Sequence, residues 1–211
     1  MPNKRGALPF AYTATRAGAR REMIRAMERP TINRQALSGV IIAAIFGIGW
    51  AQWGASGLTG AVAGVVRAVT VLLGAIILVR AFRLRRIAPI ERFSMFASRG
   101  YRLIVVLEVI AIVAGSVLLN GTGHPAYVAV WIAAVVGVHF LGFGPLFARF
   151  YYLVGAIIVL GAVAALVVGL AGGGRHAIES IAGLVTAATL LSAAAWPLTR
   201  SGDLSGFNDP A

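Results

Sequence analysis

A six-span, all-α transmembrane bundle, folded as three helical hairpins with both termini in the cytoplasm, is what this sequence predicts. Six long apolar stretches lead to it, with an apolar fraction of 59 %, a mean hydropathy of +0.85 and a one-sided distribution of arginine. Only 12 % of the 211 residues are charged, far too few to cover a soluble domain. A spanning helix needs about 20 apolar residues to cross about 30 Å of hydrocarbon. Six of them with short loops use most of the chain and leave no room for a folded soluble domain.

The elements follow in order. Residues 1–35 are a basic arm in which Arg16, Arg20, Arg21, Arg25 and Arg29 sit among Ala19, Met23, Ile24 and Met27. Glu22 and Glu28 supply partners at helical spacing, and Pro30 ends the run. An amphipathic helix lying on the membrane surface fits these residues, and so does a loosely ordered basic tail. The charged region is too long for the start of a cleaved secretory signal. The transmembrane domain covers 36–200, with spans at 36–53, 60–79, 103–119, 126–147, 152–171 and 178–196. Trp50 and Trp53 mark the far interface of the first span. Pro89 breaks the segment after the second span, where Ile90, Phe93, Phe96 and Ala97 share a helical face and suggest a second interfacial helix. Pro197 and Arg200 close the sixth span, and 201–211 is a polar tail.

Orientation comes from the 19 basic residues. Eight lie in the arm and seven in 80–102, and Arg149 and Arg200 join them on the same side. Only Arg175 falls on the other side, and Arg67 falls inside a span. The positive-inside rule therefore puts both ends in the cytoplasm, which an even number of spans requires independently. Lys4 is the only lysine, and Ala, Gly and Val are abundant, as in a GC-rich bacterial genome, so a bacterial inner membrane is the expected location. The net charge of +12 would suggest nucleic acid in a soluble protein. Here the basic residues flank apolar spans and share no face with aromatic stackers, which argues against nucleic acid and for anionic lipid headgroups.

Gly161, Ala165 and Gly169 recur every fourth residue in the fifth span, as Gly60 and Gly64 do in the second. Small residues at this spacing let backbones approach, so they read as packing seams. The same seam in the fifth span would serve a homo-oligomer or a membrane partner.

Three ionisable side chains lie within spans: Arg67, Glu108 and His139. Each is costly in hydrocarbon and should face the bundle interior. Counted from the cytoplasmic arginines at about 1.5 Å per residue, Glu108 lies about 9 Å deep, His139 about 15 Å and Arg67 about 20 Å. The three would form a ladder: a proton or solute pathway in which histidine relays protons, or a hydrogen-bonded cluster that fixes helix register. After His139, Gly142, Gly144 and Pro145 suggest either a broken helix beside a binding site or an early end to the span. At the outer face, His176 and Glu179, three apart, could join His124 around a divalent metal; alternatively Glu179 serves the amino end of the sixth helix. No cofactor is implied. Without cysteine there is no disulfide, thiolate metal site or thiol catalysis. The protease, esterase and nucleotide-binding motifs H-E-x-x-H, G-x-S-x-G and G-x-x-x-x-G-K are missing.

Three Gly-rich hairpins, leaving through Arg80, Arg149 and Arg200, resemble in layout the HdeD-type bacterial membrane proteins, which are associated with acid stress. The resemblance covers about 36–200 and implies the three-hairpin fold. The family's prolines in the hairpin turns are matched only by Pro125, and Arg67, Glu108 and His139 depart from its pattern, so it implies no functional residue. The functional expectation is therefore a non-enzymatic membrane protein, permeating protons or a small solute or serving the envelope under stress. The alternatives are an intramembrane lipid-modifying enzyme, with His139 as general base, and a structural subunit of a membrane complex.

Overall fold

The computed structural model describes residues 33–88 and 98–199. Six helices long and apolar enough to cross a membrane make the chain a multi-pass membrane protein. They are α1 (Arg34–Ala55), α2 (Gly60–Ile87), α3 (Arg99–Gly121), α4 (Val128–Phe143), α5 (Phe150–Leu170) and α6 (Arg175–Thr199), with a 3₁₀ turn at Pro125–Tyr127 before α4. The surface helices expected in the arm and at 89–97 lie outside the described residues, as does the tail.

Local chemistry sets the ends. The Asn33 side chain accepts from the Ala36 amide at 2.7 Å and starts α1. Ser98 does the same for α3, accepting from the Tyr101 amide at 3.2 Å. Gly123 (φ +80°) and Gly172 (φ +87°) hold the left-handed positions that reverse the chain after α3 and α5. Several boundaries differ from expectation: α3 and α6 start earlier, at Arg99 and Arg175, and three ends differ for reasons of local chemistry. Helix α2 does not stop at 79 but runs on to Ile87, carrying Arg80, Arg83, Arg85 and Arg86 beyond the apolar run. Its last turn favours Arg85 and Arg86 through the helix dipole, and Arg34 Nε donates to the Ala88 carbonyl at 2.9 Å. Helix α4 ends at Phe143, short of 147, because Pro145 cannot continue it. Pro197, by contrast, does not end α6; it is buried within a helix that continues to Thr199.

Packing orders the helices as a row, α2–α1–α6–α5–α4–α3, with α4 also touching α6. The first and last spans meet at the centre. A Cβ on Gly183 would stand 2.5 Å from the Gly54 Cα, so the two backbones touch directly. Leu37, Ala44, Ala51 and Ala55 line the same side of α1, all fully buried. The α4–α5 pair repeats the device, with a Cβ on Gly155 only 2.6 Å from the Gly137 carbonyl oxygen. At the ends of the row, α2 and α3 turn most of their aliphatic side chains outward, and no residue of α3 is buried. One end of the bundle carries Arg34, Arg80–Arg86, Arg99, Arg102 and Arg149; we call it the arginine face. The opposite end carries the glycine turns and is the turn face.

Candidate intramembrane polar site

The α3–α4 pair is antiparallel, and its register is legible residue by residue. Gly100 lies against Leu146 and Gly142 against Ile104, their ideal Cβ positions 3.2 and 3.3 Å from those leucine and isoleucine side chains. Further along, Trp131 Nε1 donates to the Ala111 carbonyl at 2.8 Å. Between these contacts, Glu108 Oε2 and His139 Nδ1 are 2.8 Å apart. The contact is not an aligned hydrogen bond, since Nδ1 is buried without one. Close polar contact, rather than a directed N–H···O bond, describes the pair. Their side chains retain 11 % (His139) and 17 % (Glu108) of their exposure, so the pair is shielded without being sealed.

The register explains why the two meet. Gly100 opposite Leu146 and Ile104 opposite Gly142 bring His139 level with Leu107 and Glu108. By the same register Arg149 lies beyond Arg99, so depths counted from Arg102 and from Arg149 start at different levels, and His139 is not deeper than Glu108. Gly142, Gly144 and Pro145 act as the end of a span, not as a break within one. Gly144 adopts a helical conformation (φ −50°) and is the C-cap.

Arg67 is not part of this cluster. It lies exposed on α2, which packs on α1 and α6, while α3 packs on α4 and the 3₁₀ turn. The expected ladder of three is a pair and a separate arginine. Depth could be counted along the sequence, but the choice of neighbouring helix could not.

Aromatic rings close the arginine-face side of the pair. The His139 ring is 4.1 Å from Phe143 and 5.3 Å from Phe140, both edge-on. Tyr101 stacks on Phe143 at 5.4 Å and Tyr151 on Phe140 at 6.1 Å, with Phe147 edge-on to Phe143. Sequence reasoning missed this group, although Phe140, Phe143 and Phe147 follow helical spacing and Tyr151 opens the next span. Edge-on rings present their positive rim or negative face according to orientation, and each adds about 0.5–1.5 kcal/mol beyond its buried area. On the other side, two turns along α3, Ser116 Oγ is buried without a hydrogen-bond partner.

The turn-face candidates do not converge. Glu179 is buried and pairs with Arg175, Nε to Oε1 2.8 Å, one helical turn away. His176 and His124 are exposed, and His124 sits edge-on to Tyr127 at 6.4 Å. Among the described residues, no three His, Asp or Glu side chains come close enough to hold a metal ion. Next to Glu179, Ser180 Oγ donates to the Gly54 carbonyl at 2.9 Å and ties α6 to α1. The seam of the fifth span is used inside the chain. Gly161 faces Val185 of α6, Ala165 is fully buried, and Gly169 faces Tyr127 and Ile178. Compared with protein-family models, with curated proteins and with solved structures, the chain matches none.

Proposed function

We propose that this is a cell-membrane protein, with its arginine face and both termini in the cytoplasm, that conducts protons between α3 and α4. The observation that carries the reading is the 2.8 Å approach of Glu108 to His139 inside an otherwise apolar helix pair. A proton arriving on the Glu108 carboxylate passes to the neutral His139 Nδ1, giving a carboxylate and an imidazolium. Loss of the proton from Nε2 and rotation of the ring reset the pair. Both side chains keep partial exposure, so the pair is reachable from outside the helix interface. The exposed arginines at the end of α2 hold the arginine face against anionic headgroups. An envelope-stress role is in keeping with the three-hairpin layout that resembles HdeD-type proteins.

Proteoliposomes loaded with a pH-sensitive dye test this. The parent protein should dissipate an imposed proton gradient faster than protein-free vesicles, and Glu108→Gln and His139→Ala should each slow it about tenfold or more. Equal rates in parent and variants would end the proposal.

A second reading is favoured by α3 itself. A helix with no buried residue needs some attachment, and the Glu108–His139 pair with the Trp131 hydrogen bond provides one. On that reading the variants lose thermal stability in detergent and the parent shows no flux.

A further inference from the structure

Arg67 makes no ion pair among the described residues, yet it lies exposed on a membrane-spanning helix, away from the side that packs on α1 and α6. Its position is about 10 Å inside the turn-face end of α2, within the hydrocarbon thickness. The only acids among the described residues are Glu108 and Glu179, and each already has a partner within its own bundle, His139 and Arg175. A second copy of this bundle would therefore bring it no free carboxylate from the described helices. The strip around it is also open. Gly60, Gly64, Arg67 and Val71 succeed one another at spacings of four and three, beside the face that packs on α1. At Gly60 and Gly64 nothing lies within 4 Å of an added Cβ.

We infer that this strip is a binding site for one phospholipid of the turn-face leaflet, with its phosphate on the Arg67 guanidinium. The chemistry selects that occupant. A guanidinium in hydrocarbon is tolerated when its stem snorkels toward the interface and an anion meets it there. A phosphodiester matches the guanidinium fork with paired hydrogen bonds. The two glycines leave room for a headgroup to descend against the helix backbone, and exposed Val71 and Leu72 continue the strip as an acyl-chain surface.

The test is native mass spectrometry of the purified full chain, titrated with phosphatidylglycerol from detergent micelles. Arg67→Leu should hold one tightly bound lipid fewer than the parent, with affinity for that lipid lowered about fivefold or more. Arg67→Lys should keep the lipid at reduced affinity. Gly64→Phe, which leaves the charge and fills the gap, should weaken the same lipid. Circular dichroism confirms helix content, and replacing a lipid-facing charge with leucine favours folding. Unchanged lipid number and affinity in Arg67→Leu would overturn the site. Displacement of the lipid by millimolar inorganic phosphate would overturn the lipid as occupant, as would loss of a dimer without loss of lipid.

Discussion

The α1–α6 contact and the α3–α4 contact join helices by opposite means. Between α1 and α6 the backbones touch at Gly54 and Gly183, and small residues fill the seam. Between α3 and α4 the joining atoms are polar and aromatic: Glu108 with His139, Trp131 with a carbonyl, Tyr101 with Phe143. Lipid is as apolar as leucine, so burying an aliphatic side chain against another helix gains little there. Cohesion in the bilayer comes from close approach of backbones or from polar links. The centre of this bundle relies on the first, with one added polar link from Ser180 to the Gly54 carbonyl, and its margin relies on the second.

Four substitutions would break or sharpen that contrast. Gly183→Leu forces a branched side chain into the Gly54 backbone and should be the most damaging, costing about 3 kcal/mol or more, with little folded protein recovered from detergent. His139→Ala comes next. It leaves the Glu108 carboxylate without its partner and should lower unfolding free energy by about 2 kcal/mol, less than the loss for a fully buried pair because both side chains are partly exposed. The same substitution in a Glu108→Gln background should cost less, since the two side chains act together; equal losses would show them uncoupled. Trp131→Phe removes one hydrogen bond to α3 and should cost about 1 kcal/mol by thermal denaturation. Val113→Ala, on the exposed side of α3, should change stability by about 0.5 kcal/mol or less, and a larger effect would show that this helix is packed on something.

The six spans were legible because hydrophobic length survives any rearrangement of neighbours. The ends were less so. Arg80 reads as the edge of a span, yet arginine is a good helix former, and nothing between Arg80 and Ile87 interrupts the backbone hydrogen bonds. Pro145 and Pro197 look alike in sequence. One follows two glycines and ends its helix; the other removes one backbone hydrogen bond near the end of α6, and only Leu198 and Thr199 follow it in the helix. Glu108 and His139 could be singled out because charge in hydrocarbon is rare. Their meeting depended on the register of α3 against α4, and Arg67 was misplaced because rise along a helix says nothing about which helix stands beside it. The pairing of α1 with α6 had no local signal beyond glycines that also fit several other partners.

That pairing of the first and last spans bears on biogenesis. At about 5–20 residues per second, α6 leaves the ribosome on the order of ten seconds after α1. During that interval α1 waits in the bilayer with its glycine notch unfilled. A chain cut short before α6 would strand it there, available to insertion chaperones and to membrane proteases that recognise an unmated span.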